Sequence, residues 1–220
     1  IPSCNMIDMA LSVVAVKNNI DSLYGFERLA TKNAVILVNT SPNRVKSRFN
    51  TQPGINIFDF EASLGIDKLI NRSDIMVVFN GFSIRLDNNA KIFTERSVKD
   101  NKTFFEGEAQ FSSKFFNLAM RREISAFVNK PQISGVDLVF ISGKNSVCFR
   151  FVFNKNVRIK EINQRNILLF TEQNEYIFNM SSGVINIVSK PIANYTTVEI
   201  LAKSTGGKEI SFGWSIERTK

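Results

Sequence analysis

Apolar and polar positions along the chain follow two different periods. Alternation with period two, or a short unbroken apolar run, predicts strands at Ala34–Asn39, Arg44–Thr51, Ile55–Phe60, Asp74–Phe79, Phe82–Asp87 and Ala90–Thr94 in the first half. In the second half the same signals fall on Thr103–Phe111, Asp137–Ser142, Val147–Asn154, Val157–Ile162, Ile167–Glu172, Tyr176–Met180, Tyr195–Lys203 and Glu209–Glu217. Turn residues separate them: Ser41-Pro42-Asn43, Pro53-Gly54, Asn80-Gly81, Asn88-Asn89, Gly143-Lys144-Asn145, and Ser204–Lys208 with its Gly206-Gly207 pair. Spacings of three and four predict helices at Asn19–Ala30, Glu61–Arg72 and Lys114–Phe127. The third is the clearest, with Phe116, Ala119, Met120, Ile124 and Phe127 on one side and Lys114, Asn117, Arg121 and Ser125 on the other, with Arg122 nearby. A fourth short helix is expected at Val184–Val188, after Ser181-Ser182 as N-cap candidates and before Pro191 as a stop. Residues 1–17 read equally as strand or helix.

In elements, the halves repeat one pattern: helix, meander of strands, short helix, more strands. The polar stretch Glu95–Lys102 lies between them, which places domains at 1–98 and 99–220 with a linker over 95–102. The expected fold class is therefore α+β, as two similar domains, each with two short helices packed on antiparallel sheet.

Composition narrows the chemistry. With 220 residues and 44% hydrophobic content, the chain can bury a core. Histidine is absent, which excludes Ser-His-Asp and Cys-His catalysis and histidine-ligated metals. Cys4 and Cys148 form no motif; a reducing compartment is the expectation, with Cys148 as a small core residue. The apolar run 7–16 is too short to span a bilayer and has no basic segment before it, so neither a membrane span nor an intact signal peptide is expected there. The formal charge of +8 and pI near 9.6 favour an anionic partner.

The segments INIFDFEASLGIDKLINRSD (55–74) and YIFNMSSGVINIVSKPIANYTTVEILAKS (176–204), each read as strand, short helix and strand, resemble the phage- and viral-type DNA sliding clamps. The resemblance lies in element order over 19–94 and 110–217, and it departs from the family in the basic overall charge. It implies a clamp-like (PCNA-like) polymerase processivity factor, present at intracellular sites of DNA replication. Such a protein holds duplex DNA without reading sequence, binds a DNA polymerase, and works as a trimeric ring or as a monomer. It needs no cofactor or metal and has no catalytic residue. Carried over residue by residue, the DNA-facing candidates are Arg28, Lys32, Lys68, Arg72, Lys114, Arg121, Arg122 and Lys190.

Other signals are weaker. Asp100-Asn101-Lys102 is the single acid-x-Lys run a metal-dependent nuclease would want, and it sits in an expected loop. Gly206-Gly207-Lys208 lacks the rest of a phosphate loop. The 20 phenylalanines fit a core better than a base-stacking surface. The rival readings are a viral or phage structural or assembly protein with β-rich domains, and an enzyme working through Asp, Glu and Lys alone.

Overall fold

The computed structural model describes residues 25–40, 55–79, 82–83, 91–112, 117–141, 146–181, 184–190, 195–203 and 209–219. Every element among them is a strand: β1 (Phe26–Ala30), β2 (Ala34–Asn39), β3 (Ile55–Leu64), β4 (Asp67–Phe79), β5 (Phe82–Ser83), β6 (Lys91–Lys99), β7 (Lys102–Ser112) and β8 (Asn117–Phe127) come first. β9 (Gln132–Ile141), β10 (Ser146–Phe153), β11 (Arg158–Asn163), β12 (Asn166–Phe170), β13 (Glu175–Met180), β14 (Val184–Lys190), β15 (Tyr195–Lys203) and β16 (Ile210–Arg218) follow. They form two antiparallel sheets. One runs β1-β2-β3-β4-β10-β15-β14 with β5 added on β4; the other runs β11-β12-β13-β16-β9-β8-β7-β6. The first is called the β4 sheet below and the second the β9 sheet.

The fold is thus all-β, which corrects the α+β expectation. Two of the expected helices have a specific reason for being strands. Glu61–Arg72 contains Gly65 at φ 59°, and Gly65-Ile66 is the two-residue turn between β3 and β4, with glycine at the first central position as a type II′ turn requires. The interval read as the clearest helix is strand β8, whose inward positions are Leu118, Met120, Arg122, Ile124 and Ala126. An arginine in that inward row breaks the apolar alternation, so the remaining apolar residues fall at helix-like intervals. The fourth expected helix is strand β14, and the last residues of the first are β1. The interval 95–102 is the end of β6, a turn and the start of β7. Asp100 and Asn101 both have positive φ (49° and 60°), the combination a type I′ hairpin turn needs. Strand β4 from the first half pairs with β10 from the second, so the β4 sheet draws strands from both expected domains. The strand expected at 44–51, the turn at 204–208, residues 19–24 and Phe116 lie outside the described residues.

The inner faces of the two sheets share one core. Aromatic rings cross the gap: Phe60 of β3 stacks on Trp214 of β16 with centroids 5.2 Å apart, and Phe149 of β10 stacks on Phe212 of β16 at 4.6 Å. Gly135 is small because Trp214 lies over it; a Cβ there would stand 2.5 Å from the indole. At one end, the β3–β4 turn is tied to the other sheet through Asp67. Its Oδ2 accepts hydrogen bonds from the Tyr176 hydroxyl at 2.6 Å, Asn174 Nδ2 at 2.6 Å and Thr171 Oγ1 at 3.1 Å.

The centre of the sandwich holds a charge. Arg122 and Asp137 are cross-strand partners on β8 and β9, both fully buried. The guanidinium donates to both carboxylate oxygens, Nε to Oδ1 at 2.5 Å and Nη2 to Oδ2 at 3.1 Å. Its Nη1 reaches across to the β4 sheet and donates to the carbonyl oxygens of Phe58 (2.8 Å) and Ser73 (3.2 Å). Phe58 takes φ 57° within an irregular stretch of β3. Its ring packs where a Cβ on Gly107 would come within 2.7 Å. Removing one partner of such a pair strands the other charge in the core. Arg122→Met is therefore expected to cost on the order of 3–5 kcal/mol in urea or thermal unfolding, and adding Asp137→Leu should recover most of it. A single-mutant loss below about 1 kcal/mol would show that the pair does not hold the sheets together.

Candidate functional site

Two polar regions lie on the outward faces. On the β4 sheet, Asp74 of β4 is the register partner of Arg150 of β10 and accepts from Arg150 Nε at 2.6 Å and Nη2 at 2.5 Å. Arg72 Nη2 also bonds Asp74 and lies 3.9 Å from Asp59, through its Nε. Asp59 in turn accepts from Asn39 Nδ2 at 2.8 Å. All of these are buried or nearly so. Burial pushes the Asp59 carboxyl up to about 6, against the opposing pull of Asn39 and Arg72. On the same face, burial and then Glu199 push the Cys148 thiol up to about 12, so it supplies no thiolate at neutral pH. This region is a closed ion-pair chain that ties β2, β3, β4 and β10.

The outward face of the β9 sheet is different. Register carries one line of residues across neighbouring strands: Ser97 (β6), Phe104 (β7), Ser125 (β8), Ser134 (β9), Ser215 (β16), Asn179 (β13) and Asn166 (β12). Five of them, Phe104, Ser125, Ser134, Ser215 and Asn179, line a groove of about 460 Å³ together with Glu123, Val136, Ser181 and Gly213. Asn179 Nδ2 donates to Ser215 Oγ at 3.5 Å, and Ser181 Oγ accepts from the Gly213 amide at 2.8 Å. The hydroxyls of Ser125 and Ser134 have no protein partner among the described residues. One step along the strands runs an acidic line, Glu95, Glu106 and Glu123. Arg121 stands between its members, 3.0 Å from Glu106 and 2.7 Å from Glu123.

The sequence-derived DNA candidates do not share a surface. Arg122 and Arg72 are buried in ion pairs, on the inner face of one sheet and the outer face of the other. The expectation that Arg122 lies opposite the apolar side of its element is corrected: it shares that side with Met120 and Ile124. Arg121 is the outward neighbour, engaged by two glutamates. Lys68 pairs with Glu61 at 2.5 Å on the surface, Lys32 is exposed in the β1–β2 connection, and Arg28 is a half-buried β1 residue. Lys190 ends β14, where its backbone pairs with Tyr195, and Lys114 lies outside the described residues. No helix among the described residues is long and apolar enough to cross a membrane.

No family model and no curated protein matches the chain. Solved structures do. A heparinase III is similar over 96% of this chain and 38% of its own, with TM-score 0.61 and 13% identity. Heparan sulfate lyase HepC from Pedobacter heparinus is similar over 88% of this chain and 35% of its own, with TM-score 0.62 and 11% identity. A galactose mutarotase related enzyme from Lactobacillus acidophilus is similar over 89% of this chain and 97% of its own, with TM-score 0.51 and 11% identity. At these identities the likeness is one of fold, a two-sheet β-sandwich, and none of the three is a clamp. The chain spans little more than a third of the two lyases.

Asp59 generates a pH prediction. Its folded-state pKa, about 6, lies above the ordinary 3.8, so the fold favours the protonated form. The stabilisation is full below about pH 4 and is lost as pH rises through 6. Asp59→Asn keeps an acceptor for Asn39 and removes the titration. Between pH 4 and 7 the wild-type unfolding free energy should fall relative to the variant, by an amount on the order of 3 kcal/mol. Parallel stability profiles for the two proteins would mean that Asp59 titrates normally.

Proposed function

We propose that this chain is a saccharide-binding β-sandwich that holds a glycan on the outward face of its β9 sheet. The observation that carries the reading is the hydroxyl and amide line Ser125, Ser134, Ser215 and Asn179, set in one groove with the Phe104 ring at its end. Sugar hydroxyls both donate and accept, and they suit side chains that do the same. An aromatic ring beside them offers an apolar face for the C–H side of a pyranose. The fold likeness supports the reading, because the three proteins named above bear names that refer to saccharides: heparin, heparan sulfate and galactose. The reading assigns this face binding and no chemical step. The sliding-clamp reading rested in part on helix faces, and the described residues of those segments are strands and the turn between β3 and β4.

The test is binding of the purified chain to a panel of polysaccharides by affinity electrophoresis and calorimetry, with duplex DNA as a comparison. The wild type should bind at least one glycan. Phe104→Ala with Ser134→Ala should weaken that binding about tenfold, as loss of one or two neutral hydrogen bonds and a stacking surface predicts, with the melting temperature little changed. Failure of every glycan to bind, alongside DNA binding with a steep salt dependence, would overturn the saccharide reading in favour of the DNA one.

A further inference from the structure

The hydroxyl line has a cationic neighbour on the side opposite the glutamates. One register step toward the Asp100-Asn101 turn, the outward positions are Lys99 on β6, Lys102 on β7 and Phe127 on β8. Two residues of strand separate this line from Phe104 and Ser125, about 6.7 Å. Lys102 Nζ stands 4.6 Å from the centre of the Phe127 ring, and Lys130 Nζ, from the bend after β8, stands 4.7 Å from the same centre. Two ammonium groups therefore meet at one aromatic ring, and Lys99 is the cross-strand partner of one of them, Lys102. Among the described residues none of the three forms an ion pair, and the nearest acid in sequence, Asp100, is exposed at the tip of the turn. Phe127 is half-buried and Lys102 partly so, which fixes the cluster to the sheet. Like charges held this way repel one another, and an anion placed among them removes the repulsion.

Along the strands the face thus grades from cationic (Lys99, Lys102, Lys130), through uncharged hydroxyls and Phe104, to anionic (Glu95, Glu106, Glu123). A sugar ring seated on the middle line has its edges facing opposite charges. A negative substituent is attracted on one side and repelled on the other, so the gradient sets the orientation as well as the affinity. We propose that Lys102 and Lys130, both at the Phe127 ring, together with Lys99 beside Lys102 on the next strand, form an anion subsite that takes the carboxylate or sulfate of an acidic saccharide seated on the hydroxyl line. The inference rests on the saccharide reading above and deepens it to a ligand class.

Calorimetric titration with three probes of matched length tests it: a neutral galacto-oligosaccharide, a galacturonate oligosaccharide and a sulfated dextran fragment. The wild type should bind one or both acidic probes about tenfold more tightly than the neutral one at low salt, and the margin should shrink as salt is raised. The two acidic arms tell carboxylate from sulfate. Lys102→Gln with Lys130→Gln should abolish the margin and leave neutral binding within about twofold. Lys99→Gln alone, more exposed, should reduce the margin in part. A margin that survives the lysine changes, or its absence in the wild type, overturns the subsite while the saccharide site stands. If Phe104→Ala with Ser134→Ala leaves the acidic probes bound as before, the cluster is a charged surface independent of the groove. In that case both readings fall.

Discussion

A charge sealed between two sheets sets the terms for the rest of this sandwich. Arg122 carries a full positive charge at zero exposure, and Asp137 on the adjacent strand pairs with it. Desolvating both groups is costly, and their attraction offsets that cost only when the remaining donors are also satisfied. Those donors point away from their own sheet, so they must be met from the other one. The carbonyls of Phe58 and Ser73 do this. Phe58 reaches the position by leaving ordinary strand geometry, with a positive φ in a stretch where the β3–β4 register slips. The displaced Phe58 ring then needs space on β7, which Gly107 leaves open. One ion pair thereby fixes the relative placement of four strands on two sheets, with a specificity that apolar packing does not supply.

Around that point the core is conventional and aromatic. The rings of Phe60, Phe149, Phe151, Phe178, Phe212 and Trp214 interlock across the gap in stacked and edge-on pairs. Asp67 closes one end by collecting three donors from the β12–β13 region. On the far side of the β4 sheet, the chain Arg150–Asp74–Arg72–Asp59–Asn39 joins strands whose partners are distant in sequence. Among the described residues, the β9 sheet has no comparable ion-pair chain on its outward face. Its one such contact, Arg121 between two glutamates, is partly exposed and contributes little to stability.

Strands whose burial alternates cleanly were legible in the sequence. Ala34–Asn39 and Tyr195–Lys203 have the bounds that their patterns predict, and β9, β10, β12 and β16 shift by only a few residues. The predicted helices failed where one residue hid the period. Arg122 occupies an inward position of β8, so only a buried ion pair, invisible without its partner, turns that interval into a strand. Gly65 was read as part of a helix because a lone glycine between Leu64 and Ile66 does not announce a two-residue turn. The candidate site was illegible for a further reason. Ser134, Ser215 and Asn179 are single polar positions in apolar strands, Ser125 reads as part of the polar side of an expected helix, and the line the four make exists only in the register of pairs far apart in sequence.

That line runs against what a sheet would choose for stability. Central strands are best served by β-branched and aromatic residues that pair across the ladder, and asparagine is disfavoured in them. The same strands use such residues one step away, at Val136 and Ile177 on the outward face. The hydroxyl line therefore forgoes cross-strand packing in the middle of the sheet, where it would be worth most. The sandwich can sustain this because its cohesion lies elsewhere, in the aromatic layer and in the Arg122–Asp137 link on the opposite face of the same strands. Alternation separates the two demands: inward positions hold the sheets together, and outward positions two residues apart are free to carry cations, hydroxyls and carboxylates in sequence. A graded surface of that kind is available only to a sheet whose other face has already secured the fold.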